Sequence, residues 1–427
     1  MDAFYNADTR NIAVEVILYD NANAPTVLTR DGVLIDFDLL EEASADSKNV
    51  FGAISANEIS FSIYNEDNKY SPQGGRVRRG VLVKPRIKAE GADWTDLGEF
   101  YISSANTSID GAVVHVTAFD RLETIFSTEL RNPEALSDVT YESMYARTLD
   151  KLGVPHKISN KLDEVIKHGY ISSEVASTLQ DLTVGAMAIC NVNRQGEVEV
   201  QPIYGSRTLR ATLTDNDQII SIPTSISNVR SFDSASLTYY NAQLTDQEEL
   251  VRVKDFDIPP GLFASNEIQF AKTPVAQLNG IGIRSNVRLT LESYSVSAHA
   301  FKIQVLNETG NKLPVDLVAY GRYVDFIPTL RASDGKEQYK VDCRFIQNEA
   351  YATRVYNLME RYANSHMPYL DIDIRGNPNL LIGDKIRVQS DRFGIDFEGI
   401  VYRAKYQYNG SLKCSMTLLD SSILEEV

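Results

Sequence analysis

Cysteine is scarce in this chain of 427 residues, which contains only Cys190, Cys343 and Cys414. The three are far apart and odd in number, so they form neither a disulfide framework nor the paired spacing of a zinc site. We expect them to be buried as small apolar side chains in a protein that is assembled in a reducing compartment. Because no run of about 18 apolar residues occurs, no membrane-spanning helix and no stable membrane association are predicted.

Basic residues are also fewer than acidic residues. The chain has 42 Lys and Arg residues against 58 Asp and Glu residues, which gives a net charge of −16. A surface of this sign repels nucleic acid as a whole, so stable or sequence-specific DNA binding is not expected. With 43% hydrophobic residues, the chain can nevertheless bury cores in two to four domains, at about 100–200 residues each.

Recognisable catalytic patterns are missing from the sequence. The histidines are dispersed without a metal-binding spacing, and neither a nucleophile elbow nor a phosphate-binding loop is present. The carboxylate pairs Glu41–Glu42, Asp255/Asp257 and Asp371/Asp373 could act as acid and base on a glycan. Acidic strands are more commonly solvated faces, however, so we expect no enzymatic activity, no cofactor and no metal.

Alternating apolar and polar residues dominate the N-terminal region, which predicts short antiparallel strands. The predicted strands are 12–18, 33–37, 58–64, 81–88, 97–102 and 113–120. Turn-forming residues at 65–68 and 108–111 separate some of them. Strands at this spacing are typical of a β-barrel or sandwich.

The period of the pattern changes after residue 128. Apolar residues at helical spacing predict helices over 140–152 and 173–188, followed by a hairpin that turns at Arg194–Gly196. A third helix is predicted over 348–366. Between the second and third helices the pattern is again that of strands, with a hairpin tip predicted at 307–311.

These patterns predict a mainly β (α+β) protein with two antiparallel β-barrels. The predicted segments are an N-terminal barrel over 1–128, a small helix–helix–hairpin module over 129–212, a second barrel over 213–261 and 343–427, and an inserted β-sandwich-like domain over 262–342. The two barrels look like a structural duplication, because each has a basic strand and a last strand that ends in Asp.

Several segments resemble the hub proteins of bacteriophage tails and related injection machines. They are Ile59–Pro72, with its Asn-x-Asp-x-x-Tyr-Ser-Pro element, Val113–Leu122, with Val-x-Ala-x-Asp-Arg-Leu, Leu179–Ala188 with the hairpin after it, and Gly376–Val388. Their order and spacing carry the resemblance, which spans most of the chain except the insert.

The resemblance implies a structural, non-catalytic protein of the virion that is assembled in the host cytoplasm. Three copies would form a ring in which two barrels per subunit give pseudo-sixfold symmetry. The ring would join the tail tube or distal tail protein to the tip or baseplate, and would contact the tape measure protein and spike or fibre proteins. DNA would contact it only in passage during genome ejection. The C-terminal extension that cleaves cell wall in some relatives is expected to be absent.

One cluster of basic residues stands out against the acidic background: Arg76, Arg78, Arg79, Lys84, Arg86 and Lys88. The alternatives are a solvated loop and rim strand, a contact with an acidic edge of a neighbouring subunit or ring, and direct contact with DNA. We regard the first two as better supported, since a passage for DNA works best when it does not bind phosphate tightly.

Two other functions stay open from the sequence. The insert could bind a carbohydrate or receptor through the aromatic residues Phe270, Tyr294, Tyr320 and Tyr323, although most of these are expected in a core. A cell-wall hydrolase with an unrecognised site is the remaining alternative.

Overall fold

The computed structural model describes residues 11–20, 25–44, 50–52, 54–73, 76–130, 133–215, 218–223 and 232–425. The N-terminal region forms β1 (Ile12–Tyr19), β2 (Thr26–Thr29), β3 (Leu34–Glu42), β4 (Glu58–Tyr64), β5 (Leu82–Ala89), β6 (Thr95–Asp96), β7 (Phe100–Thr107) and β8 (Val113–Phe119). In β5 the side chains alternate, so that Val83 and Ile87 are buried while Lys84 and Arg86 lie on the other face. The predicted class, mainly β with antiparallel pairing, is confirmed.

The small module follows with α1 (Arg121–Phe126), β9 (Glu134–Thr140), α2 (Tyr141–Lys151), β10 (His156–Ile158), β11 (Val165–Ile171), α3 (Val175–Ala186), β12 (Ala188–Val192) and β13 (Val198–Pro202). The helix predicted from the apolar stripe is α2, which Thr140 caps by accepting a hydrogen bond from the Ser143 N–H. The β12–β13 hairpin is also confirmed. The sequence pattern did not predict β9, β10 or β11.

The next region contains β14 (Leu209–Thr214), β15 (Ile219–Ser221), β16 (Ser234–Leu244), β17 (Glu248–Ile258), β18 (Gly261–Ala264), β19 (Ile268–Gln269), β20 (Val275–Arg284), β21 (Thr290–Val296), β22 (Ala300–Asn307), β23 (Leu313–Ala332) and β24 (Gln338–Asp342). The chain ends with α4 (Glu349–Asn364), β25 (Tyr369–Arg375), β26 (Lys385–Ser390), β27 (Ile395–Tyr408), β28 (Leu412–Asp420) and α5 (Ser421–Leu424). The helix predicted over 348–366 is α4, with Val355, Met359 and Tyr362 on its buried face.

One sheet of 14 strands unites the two ends of the chain. Its main order is β15-β25-β28-β27-β3-β4-β8-β7-β5-β1-β2. The two halves meet where β27 pairs antiparallel with β3, from Arg403 opposite Glu42 to Tyr408 opposite Phe37. Strands predicted for two barrels therefore share one sheet, and their closure into two barrels stays a prediction. A single hydrophobic core, from Val14 to Leu424, packs against this sheet and the helices.

Two further sheets and a second core involve the inserted region, and the first of these sheets, with five strands, also contains β16 and β24. In the first sheet, the first part of β23 lies between β17 and β20. In the second sheet, β22 pairs with β21 on one side and with β18 and β19 on the other. The second core runs from Leu250 to Ala319, so it begins before the predicted boundary at residue 262. The four segment boundaries stay a prediction.

The hairpin tip predicted at 307–311 is wrong. Strands β22 and β23 belong to different sheets, and the turn between them crosses from one sheet to the other. The Asn307 side chain, which is 1% exposed, explains the crossing. It donates hydrogen bonds to the carbonyls of Ile258, Pro259 and Asn311, which ties the turn to the end of β17.

Candidate assembly interface

The basic residues of β5 are paired within the chain. Lys84 Nζ lies 2.5 Å from Glu99 Oε1, and Arg86 Nη2 lies 2.5 Å from Glu15 Oε2. The hydrogen bond to Glu99 raises the pKa of Lys84. Arg86 and Lys88 also lie near the ring of Trp94, the only tryptophan of the chain, at 4.6 and 4.8 Å from its centroid. Their charges are thus largely engaged by carboxylates and by the ring face.

The arginines of the preceding loop lie at an end of the large sheet. Arg76 Nη1 donates to Thr26 Oγ1 of β2 at 2.5 Å, and its Nε is 3.8 Å from Asp20 Oδ2. Arg78 makes a long contact of 3.5 Å with the Asp20 carbonyl, and Arg79 is exposed. The flanking Gly74 and Gly75 lie outside the described residues. The six basic residues therefore separate into a paired strand group and an exposed loop group.

A buried ion pair, which the sequence analysis did not identify, joins three parts of the molecule. Arg194, in the turn of the β12–β13 hairpin, donates from Nε and Nη2 to the two Glu41 oxygens at 2.9 and 2.8 Å. The side chains are 9% and 8% exposed. Burial alone would lower the pKa of Arg194, but the Glu41 carboxylate raises it. Arg194 also donates to the Pro378 carbonyl, so it links β3, the small module and the loop before β26.

A second polar network lies beside this pair and includes Asn57. The Asn57 N–H donates to Asp120 Oδ2 at 2.9 Å, its Nδ2 donates to the Val192 carbonyl, and its Oδ1 accepts from the Glu42 N–H. Asp120 also caps α1 by accepting from the Leu122 N–H. Burial raises the pKa of Asp120 to about 7. The network fixes β3, β8 and β12 relative to one another.

Ion pairs also cross the β3–β27 joint on the opposite face of the sheet. Arg403 Nε lies 3.3 Å from Glu42 Oε2, and Lys405 Nζ lies 3.5 Å from Asp38 Oδ2. Glu41 and Glu42 therefore hold different arginines on opposite faces. This geometry does not form an acid and base pair around a common substrate.

Two other carboxylate pairs were predicted. In Asp255/Asp257, Asp257 Oδ2 lies 2.6 Å from Lys312 Nζ, and both members of Asp371/Asp373 are hydrogen-bonded. Asp371 accepts a hydrogen bond from the Thr417 hydroxyl, and Asp373 accepts from the hydroxyls of Ser221 and Ser415. The Thr417 and Ser415 bonds cross the β25–β28 pairing, and the Ser221 bond crosses the β15–β25 pairing. They hold both side chains on one face of the sheet, as predicted.

The aromatic residues considered for sugar stacking do not share one exposed surface. Phe270 is buried and stacks on Phe301 with ring centroids 5.1 Å apart. Tyr294 is 53% exposed, whereas Tyr320 and Tyr323 are half-buried. The strands thus place one of the four rings fully at the surface.

All three cysteines are buried and free, in agreement with the prediction. In the described part of the chain, no group of three or more His, Cys, Asp or Glu side chains is placed to hold a metal ion. Within the same residues, the helices are all too short or too polar to cross a membrane.

Several solved structures are similar to this fold. The 43 kDa tail protein of prophage MuSo2 from Shewanella oneidensis superimposes with a TM-score of 0.56 at 7% identity, covering 96% of this chain and 99% of the other. A tail protein from Neisseria meningitidis MC58 gives a TM-score of 0.50 at 10% identity, covering 97% and 98%. This chain has the fold of phage tail proteins.

The tail-protein fold confirms the resemblance seen in the sequence motifs. It extends over nearly the whole length of both solved chains and of this one, the inserted region included. No family model matches the sequence, and no curated protein matches it significantly. The likeness is therefore carried by the arrangement of strands and cores.

Proposed function

We propose that this chain is a structural hub protein of a phage tail tip or baseplate. Three copies form a ring, in which each half of the large sheet closes as a barrel, and the ring joins the tail tube or distal tail protein to the tip. The observation that carries the proposal is the tail-protein fold along 96% of the chain. The β3–β27 joint and the buried Glu41–Arg194 pair support a rigid, load-transmitting body without catalysis.

A polar face of the sheet supports the proposed passage for DNA. Side chains of β3, β4, β8 and β27–β28 line a shallow depression there: Asp36, Asp38, Ser60, Ser62, His115, Thr117, Gln407 and Lys413. Hydroxyl and amide groups make up half of these side chains, Lys413 is the one lysine among them, and the nearby Lys405 is paired with Asp38. Because strong phosphate binding requires several free cations, this face would let DNA slide past and bind it only transiently.

The exposed loop arginines serve a different purpose in this proposal. A trimer carries a net charge of about −48, three times the −16 of one chain, so partners must dock against a negative field or at local exceptions to it. Arg78 and Arg79 are such an exception at the β2 end of the sheet. They bind carboxylates of a neighbouring subunit, of the tape measure protein or of the next ring, where bidentate pairs can form.

The loop is tested by the triple change Arg76→Ser, Arg78→Ser and Arg79→Ser. Assembly onto the tail should weaken by a few kcal/mol, about the cost of losing desolvated charge pairs, while the subunit keeps its melting temperature. The double change Arg78→Ser with Arg79→Ser spares the Arg76–Thr26 bond, and Lys254→Ser with Lys340→Ser serves as a matched control at exposed positions. Normal assembly with impaired DNA passage would instead place the loop in the channel.

The proposed hub is tested by measuring the mass of the purified protein and its position on the tail. Light scattering of the purified chain should give the mass of a trimer, or the mass of a monomer that forms a trimer only on the tail. Electron microscopy of tails labelled with an antibody to this chain should show it at the distal end of the tube. A chain that stays monomeric in purified tails contradicts the proposal.

Binding of a carbohydrate or receptor is the second candidate function. It is favoured by apolar side chains of the inserted region that face solvent, since Leu262, Tyr294 and Val296 are 61%, 53% and 46% exposed. A glycan array with the purified chain, compared with a Tyr294→Ser variant, distinguishes this function. Binding lost in that variant would support it, and no binding to any glycan would count against the carbohydrate reading.

A further inference from the structure

Ile109 is an apolar side chain that the fold leaves wholly in solvent. It lies at the tip of the turn between β7 and β8 and is 110% exposed relative to a reference residue. Tyr64, at the end of the adjacent β4, is 51% exposed and pairs with Val113 at the base of the same turn. Single exposed apolar residues are common, but the turn that carries Ile109 is fixed by its own hydrogen bonds.

The turn holds Ile109 rigidly without using its side chain. The Ser108 hydroxyl donates to Asp110 Oδ1 at 2.6 Å, and the Ala112 N–H donates to the same oxygen at 3.1 Å. The Gly111 N–H donates to the Ser108 carbonyl, and Gly111 has a φ of +74° that favours glycine. Asn65, from the neighbouring loop, donates to the Gly111 carbonyl. Every other position has a role in the turn, whereas Ile109 does not.

A matching cavity lies elsewhere on the molecule, between α4 and the segment after β13. Its volume is about 280 Å³, several times the roughly 30 Å³ that a water molecule occupies in the liquid. Met187, Tyr204, Val355 and Leu358 form its apolar wall, and the exposed Ser206 lies at its mouth. The cavity can therefore admit a branched aliphatic side chain.

Charge at the two sites is complementary. Asp110 follows Ile109 directly and is exposed, and its hydrogen bonds to Ser108 and Ala112 lower its pKa, which keeps it ionised. The rim of the cavity carries Lys161 and Arg354. Arg354 is half-exposed and is already oriented by Glu164 at 2.7 Å. An aliphatic side chain beside a carboxylate would thus meet an apolar cavity whose rim carries Lys161 and an Arg354 that is shared with Glu164.

We propose that Ile109 of one copy of this chain inserts into the cavity between α4 and the post-β13 segment of a neighbouring copy, with Asp110 facing Lys161 and Arg354. The contact joins two different surfaces, and such head-to-tail contacts generate a closed ring when the rotation between copies closes. The inference rests on the proposed ring and names one contact that holds it together. It concerns residues outside both the basic loop and the β3–β27 joint.

Cross-linking between singly substituted proteins tests the contact directly. An Ile109→Cys protein mixed with a Ser206→Cys protein should form a disulfide-linked dimer under mild oxidation, because the native cysteines are buried. Neither protein alone should form this product. Ile109→Cys mixed with Ser293→Cys, an exposed position in β21, is the matched control and should give no specific product.

Affinity provides the second measurement. Ile109→Ser should raise the dissociation constant of the ring about tenfold or more, as expected for loss of one buried aliphatic side chain. Leu262→Ser, at another exposed aliphatic residue, should leave it unchanged. A stable trimer that Ile109→Ser does not weaken, and that gives no cross-link, overturns this contact but leaves the ring. Loss of tail joining without any cross-link between copies also overturns it, and assigns Ile109 to a different partner. A chain that is monomeric throughout overturns both proposals.

Discussion

The main body and the inserted sheets of this protein are stabilised in different ways. By main body we mean β1–β16, the second half of β23 from Val324, β24–β28 and the helices; the inserted sheets comprise β17–β22 and residues 313–323 of β23. One core serves the whole main body and contains residues from Val14 to Leu424. The inserted sheets have their own core, whose buried members run from Leu250 to Ala319. Distant parts of the sequence thus depend on each other in the first region, while the second is local.

Charge follows the same division. The Glu41–Arg194 pair of the main body is about 8–9% exposed and links three segments. The ion pairs of the inserted sheets are exposed, as in Lys302–Glu267 at 52% and 49% or Lys312–Asp257 at 62% and 52%. Since exposed pairs contribute little, the inserted sheets depend on their small apolar core. Although β23 runs without a break through both regions, their separate cores predict that two units unfold separately.

The largest effect is expected from breaking the buried pair of the main body. Glu41→Ala leaves the Arg194 guanidinium buried without its carboxylate, which should lower the free energy of unfolding by about 3–5 kcal/mol. Urea unfolding followed by Trp94 emission measures it, because the only tryptophan lies in the main body. Lys157→Ala, which breaks the pair with Glu199 from its exposed side, is the control and should cost less than about 1 kcal/mol. Equal effects of the two changes would contradict the structural role given to Glu41.

The second largest loss of stability is expected from a change in the core of the inserted sheets, and it should be confined to those sheets. Phe301 is 1% exposed and stacks on Phe270, so Phe301→Ala should destabilise this core by about 3 kcal/mol or more. Hydrogen exchange should rise in residues 248–323, while the unfolding seen through Trp94 stays unchanged. A parallel loss of stability in the main body would show that the two cores unfold as one.

Sequence patterns predicted the local elements of this structure better than their partners. The helical stripe of Tyr141, Met144 and Leu149 and the alternation in β5 are visible because period and burial agree within a few residues. The pairing of β3 with β27 joins residues more than 350 positions apart, and no local period records it. The 307–311 turn was misread because a turn between two apolar strands looks the same whether the strands pair or separate.

The candidate site shows the same limit. The basic cluster was visible in the sequence, but the partners that neutralise Lys84 and Arg86 come from other strands. Glu41 and Glu42 read as an acidic pair, and only the fold brings Arg194 to one and Arg403 to the other. The one indication of Ile109 in the sequence is that it is an aliphatic residue within an otherwise polar turn.

A change of pH should have a smaller effect on the free energy of unfolding, and it should distinguish the main body from the inserted sheets more sharply. The pKa of Asp120 is about 7 in the folded chain because of burial, against about 3.9 for an unfolded Asp. The folded state therefore keeps a proton that the unfolded chain has lost, so this contribution to stability is complete below about pH 4 and disappears as pH rises through 7. Between pH 5 and 8 the loss should amount to roughly 2–3 kcal/mol.

The measurement is the unfolding free energy between pH 5 and 8 in the wild type and in Asp120→Asn. The main-body transition should weaken with rising pH in the wild type and should do so less in the variant. Exchange in the inserted sheets should not follow this trend, because Asp120 belongs to the main core. The same slope in both proteins would contradict the assignment to Asp120.

The most direct test of the division into two units is removal of the inserted sheets. Thr245 and Tyr323 are hydrogen-bonded neighbours, with Thr245 N donating to the Tyr323 carbonyl at 3.0 Å, and Leu244 lies opposite Val324. Replacing residues 246–322 by a two-residue Asn-Gly turn should therefore close β16 and the end of β23 as a hairpin. Replacing 262–342 by a Gly/Ser linker is the comparison, since it also removes Tyr339 and Val341, which belong to the main core.

The deciding measurement is the mass of the variant in which residues 246–322 are replaced. It is measured by light scattering or mass photometry, in solution or on tails, and compared with the mass of the full chain. Two separately stabilised units predict a folded variant with the same oligomeric state as the full chain, and a destabilised protein for the 262–342 replacement. An unfolded or aggregated 246–322 variant would contradict it, because the main body would then depend on the inserted sheets.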